Sequence, residues 1–326
     1  MNNPPSDITP QKNDELLSLI QSDFPIVTRP YKVVADRIGL TEREVIDSIR
    51  SFMETDVIRT LGPVFEARRL GYVSTLIAAK VDDDRVSELA TAMLDMNEIT
   101  HSYLRDNELN LWFTVTAINA ERMEEIIAWV KKFPGVNRVI NLPMKKVFKI
   151  NAVWGTGKSE VKNADNSISV QSFDETGKKL VRALQNNFPV VGKPFSVIAN
   201  SMGESESAIL EIINNWLKNG TIRRFGARLN HRKIGYTHNI LTAWKGKNSE
   251  LWSEKFAGFD FVSHCYLRES HDDWPYELYT MIHAKSSTES RKNITTMKTI
   301  AQGAQMVEMK TLFELKKTSM KYFMED

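Results

Sequence analysis

Apolar residues Val45, Ile46, Ile49, Phe52 and Met53 recur at helical spacing, and Thr41 followed by Glu44 reads as a capping box, so 41–54 is predicted to be a helix. Upstream, Asp14–Gln21 and Pro30–Ile38 read as shorter helices, the second opening with proline at a first-turn position. Gly39 supplies the turn of a helix-turn-helix, and Ile58–Val64 with Glu66–Tyr72 predicts a two-stranded wing. The period then changes. Strand (Ser74–Val81), helix (Asp84–Met96), strand (Ile99–Arg105), strand (Asn110–Ile118), helix (Ala120–Phe133) and strand (Val136–Lys149) give the order β-α-β-β-α-β. That order predicts a ferredoxin-like α+β domain, with helices on one face of an antiparallel sheet. The other face must meet a partner or serve as a site.

The whole pattern occurs twice. Phe24–Tyr72 aligns without a gap onto Phe188–Tyr236, and fifteen of the 49 positions are identical, too many for accident. The second copy carries four extra residues within Glu269–Tyr276. Gly155–Ser172, rich in Gly, Ser, Asn and Lys, reads as a linker. The predicted organisation is a disordered tail (1–13), a winged helix-turn-helix (14–72), a ferredoxin-like domain (73–154), the linker (155–172), a second winged helix-turn-helix (173–236) and a second ferredoxin-like domain (237–326). Two sheets in one chain can pack together and leave a cleft between them.

Composition narrows the class. A 326-residue chain with 42% hydrophobic and 26% charged residues is ordinary for a soluble globular protein. No apolar run is long enough to span a membrane, and the polar first residues lack the apolar stretch of a secretory signal. The single cysteine, Cys265, excludes an internal disulfide and, with these features, predicts a cytoplasmic protein. A net charge of +2 gives no global sign of nucleic-acid binding.

The most telling motif is His-x-Tyr-Leu-Arg, present as His101–Arg105 and again as His264–Arg268, each in a strand-like run. Alternate residues of a strand share a face, so His, Tyr and Arg project together: an imidazole, a phenol and a carboxylate fork in one row. Cys265 then points to the opposite face. Trp112, aligned with Tyr279, reads as core or as a wall for a flat ligand. His283 aligns with Thr116, and His271 lies in the insertion, so both make the halves chemically unequal; His231 and His238 have no comparable claim.

Winged helix-turn-helix followed by this α+β domain resembles the Lrp/AsnC family of transcription regulators along each unit. The recognition helices argue against DNA: Glu42, Glu44 and Asp47 outnumber Arg43 and Arg50, and Glu204, Glu206 and Glu211 face only Lys218. A narrower resemblance follows from Thr100–Arg105 with Asn110–Thr114, and from Val262–Arg268 with Asp273–Tyr276 and Met281–His283. Those strings are similar to the two subunits of siroheme decarboxylase, here joined in one chain as in the fused, NirDL-type form of heme d1 biosynthesis. The resemblance implies a non-oxidative carboxy-lyase that removes carbon dioxide from the C12 and C18 acetates of siroheme to give 12,18-didecarboxysiroheme.

The macrocycle can hold the charge left by decarboxylation, so no cofactor is expected beyond the iron of the substrate. His101 and His264 are the expected proton donors or axial ligands of that iron, with Tyr103 and Tyr266 beside them as second candidates. Arg105 and Arg268, with Arg59, Arg223 and Arg224, are expected to hold spectator carboxylates, since an arginine on the reacting acetate would stabilise the ground state. Trp112, His271 and His283 complete the expected substrate contacts. Expected partners are siroheme and its products; a homologous second subunit pair and a homodimer stay open. The alternatives are an Lrp/AsnC-like DNA-binding regulator and a tetrapyrrole carrier without catalysis.

Overall fold

The computed structural model describes residues 8–150, 154 and 168–324. Residues 1–7 of the expected tail and 155–167 of the expected linker lie outside them. The first unit runs α1 (Pro10–Ser22), α2 (Pro30–Ile38), α3 (Glu42–Glu54), β1 (Ile58–Phe65), β2 (Val73–Val81), α4 (Val86–Ala92), β3 (Ile99–Arg105), β4 (Leu111–Ala117), α5 (Ala120–Lys132) and β5 (Val136–Ile150). The second repeats it as α6 (Glu175–Leu184), α7 (Pro194–Met202), α8 (Glu206–Lys218), β6 (Ile222–Leu229), β7 (His238–Lys245), α9 (Ser249–Ala257), β8 (Val262–Arg268), β9 (Leu278–Ala284), α10 (Ser287–Ile300) and β10 (Gln305–Lys317). Helix α1 starts four residues earlier than its apolar period indicated, because Thr9 caps it by accepting from the Lys12 amide. The α3 capping box is present: Thr41 Oγ1 accepts from the Glu44 amide (3.3 Å), and Glu44 accepts from the Thr41 amide (2.7 Å). Among the described residues no helix is long and apolar enough to cross a membrane.

One sequence expectation fails at the wing. Glu66–Tyr72 is not a strand but a chain of turns, with the Tyr72 amide bonded to Ala67 O at 3.0 Å. Strand β1 pairs instead with β6 of the other unit, antiparallel, with Gly62 opposite Gly226. Backbones come close at that crossing. A Cβ on Gly226 would stand 2.4 Å from Ile20 O, so the end of α1 lies directly on the two-stranded ribbon, which only glycine allows. Around this ribbon the two helical parts share one core; Phe24 of the first unit stacks with Phe225 of the second at 5.6 Å.

Each α+β part forms the expected antiparallel sheet, β3-β4-β2-β5 and β8-β9-β7-β10. Their last strands are long, fifteen residues in β5 and thirteen in β10, and each continues into the other unit. Strand β5 pairs with β8, and β10 pairs with β3, so eight strands close into a barrel with no free edge. Helices α4 and α5 pack outside one half, α9 and α10 outside the other, each against its own apolar cluster. Inside the barrel, Trp112, Trp274, Tyr279, Leu142 and Met309 form a core drawn from both sheets. The two sheets therefore face each other, as expected, and are also joined at both sides.

Candidate active site

In the strand ring, β3 and β8 are four strands apart in either direction, so the two His-x-Tyr-Leu-Arg strings stand on opposite walls. Between them lies a cavity of about 2150 Å³, roofed by the β1–β6 ribbon and the segment after β10. It exceeds the ~300–1,000 Å³ of most small-molecule pockets. Its described lining holds nine arginines and three lysines against four carboxylates, an excess of eight positive charges in a chain whose net charge is +2. Charge that the composition shows as balanced is thus strongly sorted in space.

Pleating does to both strings what the alternation predicts. His101, Tyr103 and Arg105 all face the cavity, as do His264, Tyr266 and Arg268. Cys265 turns outward, its thiol 3.5 Å from Ser253 O in the outer core, and burial raises it to about 12. Within each row the guanidinium lies over the tyrosine ring, 5.1 Å from its centroid in both copies. Arg105 donates to Thr311 Oγ1 (3.0 Å) and Met309 O (3.3 Å); Arg268 donates to Leu142 O (2.8 Å). The Nε of each is buried without a partner, and neither meets a carboxylate among the described residues. Each row thus ends in a largely desolvated guanidinium whose Nε is unsatisfied, a costly arrangement.

The walls differ in what flanks the motif. On the β3 side, β10 sets Lys317 opposite His101 and Glu314 opposite Tyr103. At the matching positions on the β8 side, β5 sets Ile150 opposite His264 and Val147 opposite Tyr266. The neighbouring strand thus sets charged side chains beside one histidine and aliphatic ones beside the other. Burial first, then Lys317 and Arg228, lowers His101 to about 4. Burial, then His101 and Lys317, lowers His264 to about 3. Both are neutral imidazoles at neutral pH. Burial raises Tyr103 and Tyr266 to about 12, so both are phenols.

The other expected contacts divide. Arg59 lines the cavity and is ion-paired with Glu314 at 2.9 Å; Arg223 lies 3.8 Å from Glu66. Arg224 is at the wall but spends its Nη1 on Gln21 O and Ala227 O, and burial draws it down to about 10. Trp112 also reaches the cavity, yet it packs against Trp274 in the barrel core and donates to Leu109 O at 2.6 Å. His283 is buried at the wall, 2.7 Å from Ser263 Oγ. His271 is a correction. The insertion turns back on itself outside the cavity, His271 N to Trp274 O at 3.0 Å, so that Trp274 enters the barrel core while the His271 imidazole stays half exposed near Asp273.

Residues without a claim in the sequence join the site. His231 is buried at the wall, stacked on Trp154 at 5.6 Å and 2.9 Å from Asn239 Nδ2. The one signal for it was the aligned position, where the first unit has Ala67. Glu314 and Lys317 were likewise hidden at the end of a strand read only as sheet.

These observations meet the comparisons with known proteins. A family profile described as AsnC-like ligand binding domain matches residues 69–149 and 233–317. A second, described as siroheme decarboxylase NirDL-like HTH domain, matches residues 13–59 and 177–223. A siroheme decarboxylase from Hydrogenobacter thermophilus is 30% identical over 322 residues, covering 96% of this chain and 95% of that protein. The chain belongs to the siroheme decarboxylase family. A crystal structure of siroheme decarboxylase NirDL in complex with an iron-uroporphyrin III analogue superposes with a TM-score of 0.73 at 26% identity, covering 96% of this chain and 94% of that one. A siroheme decarboxylase beta subunit from Oleidesulfovibrio alaskensis is 39% identical over 157 residues, 47% of this chain and 99% of the subunit. About half of this chain therefore spans a complete subunit of that family member, which fits the internal duplication. The acidic residues of α3 have structural partners: Glu42 pairs with Arg29, and Glu44 closes the cap.

Proposed function

We propose that the protein is a siroheme decarboxylase acting in heme d1 biosynthesis, and that it removes carbon dioxide from the C12 and C18 acetates to give 12,18-didecarboxysiroheme. The observation that carries this is the pair of facing His-Tyr-Arg rows in a cavity with eight excess positive charges. A flat polycarboxylate with an apolar body suits such walls, and the guanidinium groups that line them suit its carboxylates.

The chemistry needs little else. The bond between the acetate methylene and its carboxylate breaks, carbon dioxide leaves, and the electron pair passes into the conjugated macrocycle. A proton then forms the new C–H bond of a methyl group; no electrons are gained or lost overall. Arg105 and Arg268 hold carboxylates that do not react, because a cation on the reacting one would stabilise the ground state. The acetate that reacts belongs beside the aliphatic side chains of Ile150 and Val147. His264 stands there, and we assign it the proton. His101, among charges on the opposite wall, is left for the iron of the substrate. Burial is the first cause that depresses His264 and nearby cations the second; carboxylates of bound substrate offset the cations, which brings its protonated form closer to neutral pH. Tyr103 and Tyr266, as neutral phenols, orient carboxylates by donating hydrogen bonds.

The test is anaerobic incubation of purified protein with siroheme, followed by mass analysis of the extracted tetrapyrrole. Stepwise loss of two carbon dioxide units is the expected result. Tight binding with unchanged mass would replace the enzyme with a carrier.

A further inference from the structure

The two rows differ behind the histidine as well as beside it. In the second unit an uninterrupted series of hydrogen bonds leads away from His264. Its Nδ1 is 2.7 Å from Ser263 Oγ, which is 2.7 Å from His283 Nε2. His283 Nδ1 is 2.5 Å from Asn239 Oδ1, and Asn239 Nδ2 is 2.9 Å from His231 Nε2. Trp154 covers the far end, its ring 4.6 Å from that of His283 and 5.6 Å from that of His231. All four supporting residues are buried.

The first unit lacks this series. Strand register matches Asn239 opposite His283 with Ser74 opposite Thr116, and Ser263 holds the place of Thr100. His101 Nδ1 is 2.9 Å from Thr100 Oγ1, and Thr116 donates to Ser74 at 3.1 Å, but no bond joins those pairs among the described residues. Where the second unit has His231, the first has Ala67.

We infer that Ser263, His283, Asn239 and His231 are a positioning relay that fixes the ring and the tautomer of His264, so that its Nε2 alone exchanges protons with the cavity. The inference rests on the decarboxylase reading for the identity of the reaction, but the relay is a property of the fold. Its direction follows from the partners. Asn239 Oδ1 can only accept, so His283 carries its proton on Nδ1 and accepts at Nε2 from the Ser263 hydroxyl. Ser263 Oγ is then free to accept from His264 Nδ1–H. The remaining Ser263 contact, to Met281 O at 3.5 Å, is too long to compete. At the other end a neutral imidazole accepts at one nitrogen only. His231 takes the 2.9 Å bond from Asn239, while Lys317, 3.5 Å from its Nδ1, turns to Glu314.

The same direction serves both states of His264. As imidazolium it donates from Nδ1 to Ser263 and offers the Nε2 proton to the substrate carbon. After transfer it remains the Nδ1–H tautomer, with the Nε2 lone pair facing the cavity. Asn239 carries no mobile proton, so the series orients and does not conduct. At metal sites a hydrogen-bond partner that sets the tautomer of a ligating imidazole is worth ~10–100-fold in affinity or activity, and the same scale is expected for Ser263.

Two readouts test this. In full-length protein with ¹⁵N-labelled histidine, NMR should find neutral His264 as the Nδ1–H tautomer, against the Nε2–H form favoured by free histidine. Ser263→Ala should return it toward Nε2–H. In turnover with siroheme, Ser263→Ala should lower kcat about 10–100-fold with KM changed less than about 3-fold. Ser263→Thr, which keeps the hydroxyl, should recover most of the loss, and Thr116→Val in the first unit should stay within about 2-fold of wild type. An Nε2–H tautomer in the wild type, or a Ser263→Ala enzyme of normal kcat, overturns the relay. A wild type in which His264 is Nδ1–H but no carbon dioxide is lost would keep the relay and overturn the reaction.

Discussion

Arg268 offers the sharpest test of the cavity as a polyanion site. Its guanidinium is buried, bonded through one Nη to Leu142 O at 2.8 Å, stacked over Tyr266, and left with an unpartnered Nε. A charge-assisted hydrogen bond to a ligand carboxylate contributes about 1.5–3 kcal/mol. At 1.4 kcal/mol per tenfold, Arg268→Met should weaken binding of an iron uroporphyrin roughly 10–150-fold. The free protein should barely notice. Removing a desolvated, half-satisfied cation relieves about 1–3 kcal/mol, while the orphaned Leu142 carbonyl costs a similar amount, so stability should stay within about 1 kcal/mol. Arg268→Lys keeps the charge but loses the fork and should fall between. Binding is followed by quenching of the buried tryptophans, Trp112 and Trp274 lying in the barrel core beneath the cavity; stability is followed by urea midpoint. An unchanged Kd for Arg268→Met, or a destabilisation with no loss of affinity, would show that Arg268 only braces the barrel.

Three further outcomes follow from the same structure. His101→Ala and His264→Ala should each abolish turnover with circular dichroism and melting temperature near wild type; full activity in both would discard the site. For pH, His101, His231 and His264 are lowered by burial to about 4, 3 and 3, below the ~6.5 of an unfolded chain, so the unfolded state binds more protons as pH falls through that window. The ligand-free protein should therefore lose stability from about pH 6.5 downward, less steeply in His231→Asn or with iron uroporphyrin bound; a flat denaturation midpoint between pH 7 and pH 5 would refute it. Gly226→Ala should cost about 3 kcal/mol, since its Cβ would meet Ile20 O at 2.4 Å, whereas Gly62→Ala, whose nearest atom is Leu184 O at 3.4 Å, should cost markedly less; equal melting temperatures would contradict the crossing described.

Much of this architecture could be read locally. The α3 cap is written in Thr41 and Glu44, and the shared face of His101, Tyr103 and Arg105 in the period of a strand. What escaped was everything that depends on the other repeat. Residues 58–64 carry a strand pattern, but nothing in them names β6, more than 150 residues away, as partner in place of the adjacent Glu66–Tyr72. His231 follows a strand in a polar turn and acquires its role only through Asn239, Trp154 and His283, which come to it in space. His271 looked as informative as His283, because both break the repeat; only the fold separates an outward insertion from a buried wall.

The barrel is closed by exchange: the strand that ends each repeat is hydrogen-bonded to the histidine strand of the other. Neither repeat owns its own reaction chamber. A substitution at Lys317 or Glu314 belongs to the second half by sequence but is felt by the histidine of the first, and Val147 and Ile150 act on the second in the same crosswise way. The halves can therefore specialise only as a couple. A half produced alone would show two raw sheet edges and half of a charged chamber, and its natural fate is to seek a complementary copy.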